Sequence, residues 1–283
     1  MVNKHIEYLS KIDQNFISYW NTLHIEGKEE YLSQIERIDN LVPYKNSSLK
    51  NEITIAHEFI KRIFIKIPHV NMSLFNIPSD WNSFIKSEKE KKKLFNFSKG
   101  EIDNFIKKYK LNNYLNFYGN IKSEDSLNRK LKTDYIPSNG NSVRDLWDIV
   151  RFRIVSEDLY SLLKTTFIFW DEFYEKIIKC YNYYSYPKNG NSLNHYRAIH
   201  FEVEISPGRI IEIQIVTKTA NFIYYMDHSL IFKRAIPFMS EPHENWFRNL
   251  LLKSVLYEYS NLLELNTHEN RLPLTMFKND FDV

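Results

Sequence analysis

KNGNSLNHYRAIHFEVEISPGRIIEIQIVT, residues 188–217, reads as a loop, a strand, a tight turn and a second strand. In the first strand Ile199, Phe201, Val203 and Ile205 alternate with His200, Glu202 and Glu204. Ser206-Pro207-Gly208 is turn chemistry, with glycine free to take positive φ. Ile211, Ile213 and Ile215 then alternate with Glu212 and Gln214. A period of two sends each set to its own face of a sheet. A hairpin closing symmetrically on that turn sets His200 across from Gln214, and Glu202 across from Glu212. One face then carries Tyr196, His200, Gln214 and Glu212. Ordinary solvated faces also alternate. This set is more particular: an aromatic ring, an imidazole, a carboxamide and a carboxylate, with no lysine among them.

Composition narrows the remainder. Of 283 residues, 43% are hydrophobic and 16% aromatic, enough for a substantial core and against wholesale disorder. A net charge of +3 does not by itself indicate a nucleic-acid partner. One cysteine, Cys180, excludes an internal disulfide framework, and no apolar run is long enough to span a bilayer. Together with an N-terminus lacking a signal-peptide pattern, this gives a cytoplasmic expectation with no membrane partner.

The flanks read as helical. Apolar residues recur at helical spacing over Ile6–Leu23, with further helices expected over Glu29–Leu41 and Ser48–Lys66. Ser79 or Asp80 caps a helix bearing Lys86, Lys89, Lys91, Lys92 and Lys93, an ordinary solvated face or, less commonly, a phosphate-backbone contact. Ser98-Lys99-Gly100-Glu101 has the form of a capping box that would start another helix. Toward the other end, helices are expected over Glu157–Tyr174, Thr219–Arg234 and from Ser240 to about Leu265, and a strand over Lys176–Tyr186.

Two stretches supply partners for the hairpin. In Asn120–Leu131, Lys122, Ser126 and Lys130 are four apart, which on a helix stacks two ammonium groups and a hydroxyl on one face. That trio suits a polyphosphate, although a plain solvated helix has the same spacing. Leu146–Val155 reads as a buried strand carrying Asp148, Arg151 and Arg153. Strict alternation would separate Asp148 from Arg153, so a bulge intervenes or only one faces the site. A carboxylate there calls for a metal ion or a neighbouring arginine. Strands in the middle and helices at both ends give an α+β class with one mixed sheet of about five strands.

Taken in order, these motifs resemble the RelA/SpoT synthetase family, especially its small single-function members and their toxin relatives. Lys122-x-x-x-Ser126-x-x-x-Lys130 is similar to the family's ATP-binding helix. Asp148 with Arg153 is similar to its Asp-Leu-x-Gly-x-Arg strand, and Asn194-His195-Tyr196-Arg197-Ala198-Ile199-His200 to its Asn-Gly-Tyr-x-Ser-x-His acceptor loop. Glu212-Ile213-Gln214-Ile215 matches its Glu-Ile-Gln-Ile strand, and Asp227-His228 with Phe232-Lys233 resembles a Glu-His-x-x-x-Tyr-Lys motif. The chain departs from the pattern at Asn120, Arg151, His195 and Val216, where the family has Arg, Gly, Gly and Arg. The resemblance implies a nucleotidyltransferase-like synthetase core over residues 118–236, a helical region over 1–117, and a C-terminal helix and tail over 237–283.

It also implies a reaction: transfer of the β,γ-diphosphate of ATP to a ribose 3′-hydroxyl. Lys122, Ser126, Arg129 and Lys130 would bind ATP, and Asp148 and Glu212 would hold Mg²⁺. Glu212, Asp148, Arg153 and Gln214 form the catalytic set, with His228 and Lys233 in support. Asn194, Tyr196 and His200 would bind the acceptor, with Tyr196 stacking on its base. The leading acceptor is GDP or GTP, giving (p)ppGpp-type alarmones. Alternatives are an adenosine nucleotide or, for a toxin paired with an antitoxin protein, the tRNA 3′ end. A catalytically inactive nucleotide- or RNA-binding module is the reading from another class.

Overall fold

The computed structural model describes residues 33, 36–38, 40, 48–71, 78–111, 115–125, 127, 148–190, 195–224 and 241–268. The expected helices over 6–23 and most of 29–41 lie outside them, as do Ser126, Arg129, Lys130, Asn194, His228 and Lys233. In chain order the elements are α1 (Leu49–Phe64), β1 (Val70–Asn71), α2 (Trp81–Lys86), α3 (Glu88–Lys108), β2 (Leu115–Ile121) and β3 (Val150–Ser156). There follow α4 (Leu159–Phe173), β4 (Ile177–Asn182), β5 (Ile199–Ser206), β6 (Arg209–Thr217), α5 (Lys218–Tyr224) and α6 (Glu241–His268). The class is α+β, as expected: five full strands and the two-residue β1 form one mixed sheet in the order β1-β4-β5-β6-β3-β2. Only β3 and β6 run parallel among its neighbouring pairs.

The chain divides into two compact units. One comprises 64–186 and 197–218 and contains the whole sheet; the other comprises 1–63, 187–196 and 219–283. In the sheet unit, alternation separates the faces as the sequence indicates. Ile199, Phe201 and Val203 pair with Ile215, Ile213 and Ile211, and all six are fully buried. Helices α3 and α4 contribute the aromatic cover of this face. Phe95 stacks on Phe152 at 5.1 Å, Phe169 lies 4.9 Å from Phe201, and Phe105 joins the helices edge-on to Phe169 at 5.4 Å. Burying each such side chain contributes roughly 1.5–3 kcal/mol. Gly119 is required by this packing, because any Cβ there would run into the Phe152 ring.

Helix boundaries show where local signals lose to packing. Asp80 precedes α2 as expected but makes no side-chain cap; its carboxylate pairs instead with Arg209. Ser87 separates α2 from α3 and accepts a hydrogen bond from the Glu90 amide at 3.3 Å. The capping box expected at Ser98 does not start a helix. α3 runs through it to Lys108, with Ser98 buried on the face toward the core. The lysine run is not uniformly solvated either: Lys91 is buried and pairs with Glu88, while Lys86, Lys89, Lys92 and Lys93 are exposed.

Candidate active site

The polar face of the sheet gathers the charged residues of four strands. Along the β3–β6 ladder Arg151 is the partner of Glu212 and Arg153 the partner of Gln214. Across the hairpin His200 is opposite Gln214, and Glu202 is opposite Glu212, the register expected from the turn. β4 extends the face with Lys179 beside Glu202 and Tyr181 beside His200.

Arg151 Nε lies 3.2 Å from Glu212 Oε2, and its terminal nitrogen lies 3.0 Å from Asp148 Oδ2. Lys122 Nζ reaches the same Asp148 oxygen. His200 Nδ1 lies 3.0 Å from Glu212 Oε1, an oxygen that also receives the Gln214 amide. Arg153 Nε donates to Gln214 Oε1 at 3.0 Å, and both residues are buried. Lys179 Nζ lies 3.2 Å from Glu202 Oε2.

These contacts fix the charge states. Burial by itself would push the Glu212 carboxyl up. The Arg151 charge and the hydrogen bonds from His200 and Gln214 outweigh it and hold the group far below the usual carboxylate range. Burial lowers His200 despite Glu212, so the ring is neutral near pH 7 and donates Nδ1–H. For Glu202, burial dominates over the Lys179 charge and raises the carboxyl. Burial also pushes the Tyr181 and Tyr183 hydroxyls up to about 12, so both stay protonated as donors. Cys180 points to the apolar side; burial raises its thiol, which makes it an inert core residue.

The expected site residues are therefore placed as follows. Asp148, Arg153, Glu212, Gln214 and His200 lie in one polar network, with Lys122 joined to it through Asp148. Lys122 does not stand on a helix. The ladder of β2 with β3 extends through Ile121 paired with Val150, and the helical residues described beyond it are Glu124, Asp125 and Leu127. The four-residue spacing was thus overridden at its first member by strand pairing, and the Lys122 backbone amide bonds to the Ile149 carbonyl at 2.8 Å. Asp148 sits in the turn before β3 rather than within the strand, which removes the alternation conflict with Arg153. Tyr196 belongs to the other unit, where Lys188 Nζ lies 5.6 Å over its ring and Tyr224 is 6.4 Å away.

Sequence reasoning singled out neither Lys179 nor Tyr181 and undervalued Arg151. The period-two pattern of Lys179 and Tyr181 on β4, continued by Tyr183 in the turn just after it, could have found the first two. The hard oxygen donors of Asp148 and Glu212 fit Mg²⁺, which takes one or two carboxylates and completes its shell with phosphates and water. One guanidinium touches both groups, so a single cationic side chain already spans them. Among the described residues no cluster of three or more His, Cys, Asp or Glu side chains forms a protein-only metal cage.

Residues 119–236 match the family model described as "Region found in RelA / SpoT proteins", and the chain carries a RelA/SpoT synthetase domain there. Small alarmone synthetase 1 from Bacillus subtilis, in a structure bound to its product pppGpp, aligns at 18% identity with a TM-score of 0.50, over 68% of this chain and 100% of that one. Small alarmone synthetase 2 from the same organism aligns at 18% identity and a TM-score of 0.48, again over 68% and 100%. The Type VI effector Tas1, in a complex with its immunity protein, aligns at 15% identity and a TM-score of 0.39, over 66% and 100%. At such identities the likeness concerns the fold alone. No curated protein matches the chain in sequence. Among the described residues, no helix is long and apolar enough to cross a membrane.

Proposed function

We propose that this protein is an ATP-dependent 3′-pyrophosphokinase whose leading acceptor is a guanosine nucleotide. The observation that carries the reading is the joining of Lys122, Asp148, Arg151, Glu212 and His200 in one hydrogen-bonded chain on the sheet. Diphosphate transfer forms no covalent enzyme intermediate. It asks for positioning and for neutralisation of charge on the phosphates. The acceptor 3′-oxygen attacks the β-phosphorus of ATP, the bond from that phosphorus to the α-phosphate oxygen breaks, and AMP leaves. Bound Mg²⁺ would supply charge neutralisation at the phosphates, held by Asp148 and Glu212. Lys122 and Arg151 bind phosphate oxygens, with Ser126, Arg129 and Lys130 completing the donor site. Glu212, kept ionised by its neighbours, receives the acceptor hydroxyl and its proton. Gln214 is fixed by Arg153, so it orients Glu212 without swinging. Tyr196 stacks on the acceptor base, with Asn194 and His200 at its edge or phosphates. The guanosine acceptor agrees with the pppGpp held by the B. subtilis synthetase of similar fold.

A transfer assay with γ-labelled ATP and Mg²⁺ tests this, offering GDP, GTP, ADP and deacylated tRNA side by side, with Glu212→Gln as control. Label on GDP or GTP supports the alarmone reading. Label on tRNA alone replaces it with transfer to the tRNA 3′ end and makes an antitoxin the expected protein partner. No label on any acceptor leaves an inactive nucleotide- or RNA-binding module.

A further inference from the structure

We propose that Arg151 is the resident cation of the two-carboxylate site: it holds Asp148 and Glu212 together in the free protein, and a divalent ion takes that seat only by displacing it. This rests on the assignment of Asp148 and Glu212 to the metal. The geometry is specific. A single guanidinium touches one oxygen of each carboxylate, at 3.0 Å on Asp148 and 3.2 Å on Glu212. The two acids come from different places, one from the turn three residues upstream and the other from the parallel strand alongside. Bridging two carboxylates is what a metal ion does in such a site, and a planar fork of donors can replace it.

Arg151 also differs from the other arginine on the same face. Arg153 is 4% exposed and locked to Gln214. The Arg151 side chain is 23% exposed, which leaves it a path outward. Lys122 remains on Asp148 when Arg151 departs, so the acid is not stranded. Metal entry into the free protein therefore costs two charge-assisted hydrogen bonds. Entry together with a nucleotide restores them, because the released guanidinium finds phosphate oxygens. The protein thus takes metal as a metal–nucleotide complex and binds the bare ion weakly.

The test reads metal binding directly. Mn²⁺ is titrated into the full chain without nucleotide, and the free ion is followed by its electron paramagnetic resonance signal. Arg151→Ala is expected to bind Mn²⁺ at least tenfold more tightly than the unaltered chain. Arg151→Lys, which keeps the charge but cannot bridge, is expected to fall between them. Equal or weaker binding in Arg151→Ala overturns the proposal. If a melting curve shows that variant unfolded, Arg151→Lys decides alone, and no tightening overturns it. Titration with a non-hydrolysable ATP analogue separates the two layers. Loss of Mn²⁺–analogue binding in Asp148→Asn upholds the metal assignment; unchanged binding removes that assignment and this proposal with it.

Discussion

Glu202 and Glu212 face each other across the β5–β6 ladder, and their surroundings drive their protons in opposite directions. Both are removed from water, which favours the neutral acid. Glu212 has Arg151, His200 and Gln214 on its oxygens and stays ionised. Glu202 has Lys179, too weak a counterweight, and its carboxyl rises above the ordinary value of 4.5.

The signs of the resulting pH dependence differ. A depressed carboxyl contributes stability that is present above its ordinary value and lost as pH falls toward the depressed one. A raised carboxyl contributes stability that is full below the ordinary value and lost as pH rises through the raised one. Glu202→Gln mimics the protonated acid, so its stability relative to the unaltered chain should improve from pH 4 to pH 8. Glu212→Gln should be most damaging at pH 8 and progressively less so as pH falls below about 4.5. Urea denaturation of both variants at pH 4, 6 and 8 measures this. Parallel pH profiles would refute the opposed environments.

Glu212→Gln should also abolish diphosphate transfer while leaving ATP binding within a few-fold of normal. The substitution keeps the shape of the side chain and removes the charge that holds Arg151 on β6. Arg151 retains Asp148, so the stability loss at pH 7 should be about 2 kcal/mol, below the 3–5 typical of breaking an isolated buried pair. Product formation and ATP affinity, measured on one preparation, check the split. Undiminished turnover would take Glu212 out of the proposed chemistry.

Tyr196→Ala should remove acceptor binding without disturbing the sheet, because Tyr196 lies in the unit that does not contain it. Its neighbours Lys188 and Tyr224 offer a cation and a second ring, suitable company for a nucleobase. Acceptor KM should rise tenfold or more in Tyr196→Ala and change little in Tyr196→Phe, which keeps the ring. An equal loss in both would point to the hydroxyl rather than to stacking.

The hairpin was legible from residues 199–217 because period-two alternation and a turn containing Gly208 both constrain register. Gly208 takes φ +71, the conformation its position requires. The polar network was half legible. Glu212, Gln214 and His200 follow from alternation, whereas the link to Asp148 depends on a parallel neighbour, β3, that no local pattern announces. The misreadings share a cause. Ser98 carries a sound capping signal and Lys122 a sound helical spacing, yet each was decided by packing from elsewhere in the chain. A local preference of about 1 kcal/mol yields when a continuous helix or a strand ladder buries more apolar area.

Asn182 is the residue by which the edge of this sheet is fastened, and its removal should cost more stability than Glu212→Gln. It ends β4 on the apolar side and is fully buried. Its amide donates to the carbonyls of Phe64 at 2.8 Å and Ile67 at 2.9 Å. Its carbonyl oxygen accepts from the amides of Ser185 at 3.0 Å and Tyr184 at 3.2 Å. Asn182→Ala takes one hydrogen bond from each of these four backbone groups; the Phe64 carbonyl keeps the Ile67 amide at 3.0 Å, and each group left unsatisfied in the interior costs about 1–3 kcal/mol. A loss of about 4 kcal/mol is expected on that basis. Asn182→Asp separates the two halves of this role. The carboxylate still accepts from Ser185 and Tyr184 but turns a negative oxygen on two carbonyls. Protonation restores one donor, so Asn182→Asp should recover stability as pH falls from 7 toward 4, and Asn182→Ala should not. Urea denaturation at both pH values distinguishes them. If both variants lose the same amount at each pH, the donor half of the fastening carries no weight, and the hold on Phe64 and Ile67 must come from the Phe64–Tyr184 stack at 4.5 Å instead.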